Sequence, residues 1–386
     1  MLFRPPVLDE HERAVLHELV EFRAQLRHVL HEPRRWKGVL RRNLKARAIQ
    51  ASNSIEGYDI TLDDALSLLD DEEPLDADRR TSLEILGYRN ALTYVQQLAE
   101  DEHAVLGPTL LRSLHFMMLG HDLRNQPGRY RSGPIFVRDD DRDVTVYEGP
   151  DADEVPRLMD ELGEQLSHPT EEPVFVRAAL AHLNLVMIHP FRDGNGRMAR
   201  ALQTLVLARD RVLAPEFSSI EEWLGRNTDA YFDVLADVGA GAWHPERDTR
   251  PWVRFTLTAH HMQAQTVLRR MHEAEALWRA LSDVATERRL PQRAVTALFD
   301  AATGLRVRRS AYERETDLEP GTAARDLRMM VAAGLLLAAG ETRARRYSAT
   351  EELRAVRKAV AGDRPAVVDP FGVTRAGSTR RVTTAR

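Results

Sequence analysis

The chain of 386 residues contains no cysteine. That removes disulfide frameworks, thiolate metal sites and thiol nucleophiles together. Lysine is scarce as well: Lys37, Lys45 and Lys358 are the only lysines among 54 basic residues, the rest being arginine. Few amines are left to acylate, and many planar forks suited to phosphate. No run of about eighteen apolar residues occurs, so no membrane span is expected. The opening MLFRPPVLDEHER turns charged at Asp9 without a long apolar stretch. It does not have the form of a signal peptide, and the expected location is cytoplasmic. Net charge is only −5, which argues against a globally basic nucleic-acid binder. The balance is uneven, however: residues from 288 onward carry +9 and those before carry −14. A basic C-terminal piece therefore hides in the average. What is present is ordinary for a globular protein, with 43% apolar and 29% charged residues, at a length suited to two or three domains.

Apolar spacing of three to four residues predicts a helix over 9–31, carried by Val15, Leu19, Phe22, Leu26 and Leu30. Further helices are expected over 37–56 (stopping at Gly57), 78–100, 108–121, 153–167 and 173–187. Between them, Ile135-Phe136-Val137 and Val144-Thr145-Val146-Tyr147 flank a polar stretch and predict a β-hairpin over 134–147. Residues 251–288 repeat apolar positions at helical spacing, offering a face to the core or to a second copy in a homodimer.

The segment from His189 to Arg200 reads HPFRDGNGRMAR, between two apolar helical stretches. Pro190 and Gly194 break the chain, and a new helix starts near Gly196. A helix N-terminus exposes unpaired N–H groups and the positive end of the dipole, which suits phosphate. Gly194 and Gly196 let a ligand approach the backbone. Arg197 and Arg200 add guanidinium forks. Asp193 is a hard oxygen ligand suited to Mg²⁺, and His189 is the group able to exchange a proton near neutral pH. Singly, a His-Pro turn, a Gly-Asn-Gly turn or two arginines on a helix are commonplace. Together they place base, metal ligand, phosphate cradle and charge clamp on one loop.

HPFRDGNGRMAR resembles the Fic family signature H-x-F-x-[DE]-G-N-G-R-x-x-R at every specified position. Gly128-Arg129-Tyr130-Arg131, Met187-Ile188 and Tyr231-Phe232 are similar to further parts of a Fic core. The resemblance implies transfer of AMP from ATP to a Ser, Thr or Tyr hydroxyl of a target protein. His189 would take the proton, and Asp193 would hold Mg²⁺. The backbone of Gly194, Asn195 and Gly196 would bind phosphate, with Arg197 on the β-phosphate and Arg200 on the γ-phosphate. Phe191 would anchor the loop, and Tyr231 would lie near the adenine. The hairpin would be a flap that aligns a target segment by strand addition, its Asp139-Asp140-Asp141 tip facing solvent or basic targets. Gly196, where Doc-like kinases carry Lys, places the resemblance in the adenylylating branch. Where many relatives carry Asn and then Gly-Asp, this chain has Gly239-Ala240-Gly241-Ala242. That leaves the adenine contact there unassigned.

Ser52-Asn53-Ser54-Ile55-Glu56-Gly57 matches the family's inhibitory motif [ST]-x-x-x-E-[GN]. Its implied role is a Glu56–Arg200 pair that occupies the γ-phosphate fork, with Ser52 on the same helix face. Residues 291–349 resemble a winged helix: helices over 293–302 and 309–316, a turn at 318–321, a recognition helix from an N-cap at Thr322, and a wing about Gly340. Arg325, Arg328, Arg343, Arg345 and Arg346 could contact DNA phosphates or bases, and a winged helix used for protein contacts or dimerisation fits equally. The expected fold class is mainly α, a Fic helical core with a β-hairpin flap plus a C-terminal winged-helix domain. The expected domains are 1–75 with the inhibitory helix, 76–260 the catalytic core, 261–290 a helical linker, 291–355 the winged helix and 356–386 a disordered tail. Two other activities fit the same text: a DNA-binding regulator with a nucleotide-sensing core, and removal of AMP by the same site.

Overall fold

The structure, a computed structural model, describes residues 1–31, 36–139, 144–168, 170–211, 213–341, 345–362, 366–372 and 382–385. Pro33, Asp140, Asp141 and Arg343 lie outside the described residues. The chain is mainly helical, as expected.

The first helix, α1 (Glu10–His31), buries Val15, Leu19 and Leu26. Its start is locked by a reciprocal box: Asp9 N–H donates to Glu12 and Glu12 N–H donates to Asp9, both at 2.8 Å. Next come α2 (Lys37–Ser54), α3 (Leu62–Leu69), α4 (Arg79–Glu100) and α5 (Pro108–Leu119). The α-helical part of α2 ends earlier than expected, at Ser54, with Gly57 turning the chain at φ +81. Helix α3 has no counterpart in the sequence reading, being only eight residues long. It forms because Thr61 accepts the Asp64 N–H and because Ala65, Leu66 and Leu68 find a covered face.

The expected hairpin consists of β1 (Phe136–Asp139) and β2 (Val144–Glu148), antiparallel with a register shift between Val137 and Arg138. After it, α6 (Val155–Ser167) leads to the central pair, α7 (Val174–Ile188) and α8 (Asn195–Ala208). Both are buried around most of their circumference, which is why α7 is apolar on all sides. Short α9 (Pro215–Ser218) and α10 (Glu221–Arg226) precede α11 (Thr228–Gly239). Then α12 (Arg250–Glu287) runs unbroken for 38 residues, about 57 Å at 1.5 Å per residue.

The last part holds α13 (Ala294–Ala302), α14 (Arg309–Thr316), α15 (Pro320–Ala332), the antiparallel pair β3 (Leu336–Ala339) and β4 (Arg346–Ala349), and α16 (Glu351–Ala361). The N-cap of α15 is Glu319 and not Thr322, because Pro320 suits the first helical position and starts the helix earlier. Residues 356–361, expected in a disordered tail, are helical. Thr350 caps α16, while Leu353, Val356 and Val360 pack into the second core. Further on, β5 (Val382–Ala385) pairs with β1, giving the order β2-β1-β5.

Two large hydrophobic cores organise these elements, beside a small third cluster of Ala46, Ala65, Leu66 and Leu305. One surrounds α7 and α8 and includes Trp252–Leu257 from the first half of α12. The other joins Val267–Ala285 from the second half of α12 to α13–α16. Leu40 and Leu44 of α2 belong to that second core, whereas Ile49 and Ile55 belong to the first. Helices α2 and α12 therefore each run from one core to the other. No helix among the described residues is long and apolar enough to cross a membrane.

Candidate active site

The loop between α7 and α8 is tied at every turn. His189 ends α7 at φ +50, and Gly194 opens α8 at φ +74 with Leu119 2.8 Å from where a Cβ would stand. Asn195 and Phe191 exchange two hydrogen bonds of 2.8 and 2.9 Å, closing the loop on itself. Phe191 is fully buried and stacks on His115 at 3.8 Å between ring centroids. Arg131 staples the loop to the segments flanking the hairpin: its backbone N–H donates to Pro190 O, and its guanidinium to the carbonyls of His189, Gly133 and Pro150.

These ties orient the His189 ring. His189 Nδ1 lies 3.1 Å from the Val186 carbonyl, so Nδ1 carries the proton and Nε2 keeps its lone pair. Nε2 is buried and has no hydrogen-bond partner among the described residues. Burial pushes the imidazole down to about 4, which keeps it neutral near pH 7.

Asp193 follows His189 around the turn. One carboxylate oxygen accepts the Gly194 N–H at 2.6 Å and the other faces Asn125 Nδ2 at 3.3 Å. Burial raises this carboxyl; Arg197 opposes the shift, while Glu56 and Glu84 reinforce it. Helical geometry leaves the amides of residues 195–197 without partners in their own helix.

The two arginines of α8 are both buried. Arg200 donates from Nε to Ser52 Oγ at 2.7 Å, and from one terminal nitrogen to Ser52 O at 2.9 Å and Glu56 Oε1 at 2.7 Å. Its other terminal nitrogen is buried without a partner among the described residues. Glu56 also lies over Gly196: a Cβ there would stand 2.5 Å from Glu56 Oε1. Arg197 pairs with Glu84 at 2.6 Å and lies under the Tyr58 ring at 5.4 Å. Burial would raise the Glu84 carboxyl, but Arg197 and His121 bring it below its ordinary value.

A cavity of about 100 Å³ is lined by His189, Asp193, Gly194, Asn195, Gly196, Arg200 and Glu56, and walled by Val137, Tyr147, Met187, Tyr231 and Leu235. Arg197 does not line it. Tyr231 does, although its hydroxyl is held 3.0 Å from His182 Nε2. Gly239-Ala240-Gly241-Ala242 closes against β2. Glu148 N–H donates to Gly241 O at 2.9 Å, and a Cβ on Gly239 would stand 3.0 Å from the Tyr147 ring. The small residues there admit that ring.

Away from this site, Arg325, Arg328 and Arg345 are exposed on α15 and beside β4. Arg346 is half-buried, close to Arg308, Arg306, Glu72 and Asp63. Sequence reasoning did not single out Glu84, Tyr58 or the role of Arg131. Only Tyr58 carried a local signal, as an aromatic directly after the Glu56-Gly57 motif.

Residues 106–207 match the Fic/DOC family. "Protein adenylyltransferase Fic" of Nematostella vectensis is 29% identical over 217 residues, 54% of this chain and 45% of that protein. The protein of the same description from Drosophila yakuba is 31% identical over 230 residues, 56% of this chain and 41% of that one. This chain thus spans less than half the length of these relatives. The crystal structure of a Fic family protein from Desulfovibrio desulfuricans G20 superposes with a TM-score of 0.57 at 25% identity, covering 90% of this chain and 99% of that one. Fic-1 of C. elegans shares the fold, with a TM-score of 0.54 at 23% identity over 67% of this chain and 72% of that one.

Proposed function

We propose that this chain, which carries a Fic/DOC family domain, transfers AMP from ATP to a hydroxyl of a target protein and is held inactive by Glu56. The observation that carries the reading is one cavity lined by the unpartnered Nε2 of His189, Asp193, the start of α8 and Arg200, with Glu56 bonded to Arg200. A target Ser, Thr or Tyr hydroxyl attacks the α-phosphorus, a new O–P bond forms and pyrophosphate leaves. His189 Nε2 accepts the hydroxyl proton, for which a neutral imidazole is required. The amides at the start of α8 stabilise the charge on the phosphoryl oxygens. Tyr231 lies on the wall expected to meet the adenine.

Asp193 fits Mg²⁺: it is a hard ligand at the cavity, and a cation would relieve its crowding with Glu56 and Glu84. Among the described residues no group of three or more ligating side chains surrounds it. When bound, the ion neutralises phosphate charge.

Glu56 occupies the Arg200 fork that the γ-phosphate needs. With Ser52, it makes the end of α2 the inhibitory element. Arg197, proposed for the β-phosphate, must leave Glu84 or share it. Tyr58 covers Arg197 from the same segment as Glu56, so one movement uncovers both arginines.

Mass spectrometry after incubation with ATP and Mg²⁺ tests the reading. The Glu56→Gly protein should add AMP to itself or to lysate proteins. Glu56→Gly/His189→Ala should fall by at least about 10²-fold. Equal labelling of the two variants, or none by Glu56→Gly, would refute it.

A second reading concerns residues 291–349, whose order of three helices and a β-hairpin is that of a winged helix. Exposed Arg325, Arg328 and Arg345 favour DNA contact there. A mobility shift that weakens steeply with salt and is lost on replacing Arg325 and Arg328 supports it; no shift at low salt excludes it.

A further inference from the structure

A second cavity, of about 280 Å³, opens between α2, α10, α12 and α16. Its walls carry five guanidinium groups: Arg47 of α2, Arg226 of α10, Arg269 and Arg270 of α12, and Arg357 of α16. One carboxylate serves three of them. Glu222 bonds Arg270 through two contacts of 2.5 and 2.7 Å and Arg226 at 2.6 Å, and lies 3.7 Å from Arg47. Burial alone would raise Glu222, yet Arg270, Arg226 and Arg47 hold it down to about 2. Glu273 lies 3.9 Å from Arg269. Among the described residues, five cations thus face two carboxylates.

The electrostatics agree with a shortage of negative charge: burial and the neighbouring Arg270, Arg226 and Arg357 weaken the proton affinity of Arg47, against the pull of Glu222. Asn43 adds a nine-tenths buried polar side chain to the lining. Leu40, Leu277 and Phe299 supply an apolar wall.

We infer that this pocket binds a small phosphorylated anion, and that its occupancy pins α2 in the inhibitory position. The second part rests on the reading of Glu56 given above. Arg47 is on α2, about 13 Å along the axis from Glu56. Helix α10 lies against α2 beyond Arg47, with Ala51 Cβ 2.9 Å from where a Cβ on Gly225 would stand. The neighbour of Glu222, Glu221, bonds Tyr88 and lies near Ser52 and Arg200. An anion bridging Arg47 to Arg269 and Arg357 ties α2 to α12 and α16, and it favours the conformation that keeps these groups together.

Calorimetric titration of inorganic pyrophosphate into the full chain at low salt tests the site. Wild type should show a site whose affinity falls at least about tenfold in Arg269→Gln/Arg357→Gln. Neither replaced side chain lines the AMP-transfer cavity, so the double variant separates the two sites. No binding, or equal binding in the double variant, overturns the site. With pyrophosphate saturating, amide exchange across residues 49–57 should slow by at least about threefold; unchanged or faster exchange overturns the link to α2. Neither measurement uses AMP transfer, so the transferase reading fails or stands separately.

Discussion

The molecule holds two groups of arginines in opposite electrostatic conditions. At the start of α8 each guanidinium has its own carboxylate, Arg197 with Glu84 and Arg200 with Glu56, and both cations are sealed from water. In the pocket between α2, α12 and α16, Glu222 is shared by three arginines, and Arg226 and Arg357 are exposed. The same residue type is closed to phosphate in one place and open to it in the other. The number of carboxylates within reach sets the difference, because a buried fork already bonded to a carboxylate must lose that partner before it can bind a phosphate.

The largest effect should come from removing Glu84. Glu84→Gln leaves Arg197 buried beside a neutral amide, which should cost about 3–5 kcal/mol in stability. Denaturant titration measures it; a loss below about 1 kcal/mol would mean that the pair is not sealed. Next, Glu56→Gly turns the closed group into an open one and should raise AMP transfer at least about tenfold. Radiolabelled ATP reads this directly, and Glu56→Gln should give a smaller rise because the amide still covers Gly196.

A third prediction concerns pH. The His189 imidazole is pushed down to about 4, so the proton-accepting form is present above that value and lost only as pH falls through it. Removing Glu56, which favours the imidazolium, lowers it further. In Glu56→Gly, kcat/KM should vary by less than about twofold from about pH 8 to 6.5, where an ordinary imidazole would lose half its base form. His115, His182 and His260 are pushed below their ordinary value in the same way. Each binds a proton more readily when unfolded, so stability should fall as pH drops below about 6.5. The smallest effect should come from Arg226→Gln in the open group. That side chain is 60% exposed, and its loss should shift stability by no more than about 0.5 kcal/mol.

Features written in consecutive residues were legible before any coordinates. The loop 189–200 announces itself by density of chemistry, and the hairpin by β-branched runs on either side of polar residues. The motif 52–57 was legible in the same way, through a family resemblance. What could not be read depends on distant contacts. Glu84 meets Arg197 across 113 positions, and no local pattern marks one glutamate in an amphipathic helix as the partner of a buried cation. Arg346 follows Arg345 in sequence, but the alternation of a strand turns it toward the Asp63–Glu72 side. The short helices α3, α9 and α10 are too brief for periodicity to declare them.

Helix α2 is built into both hydrophobic cores, Leu40 and Leu44 into one, Ile49 and Ile55 into the other. The stability of the two parts is coupled as a result. Removing the residues after 290 would uncover Leu40, Leu44, Val267 and Met271 and leave an apolar stripe along α2 and α12. The C-terminal elements therefore serve as the cover for part of α2, and what holds them in place also holds α2.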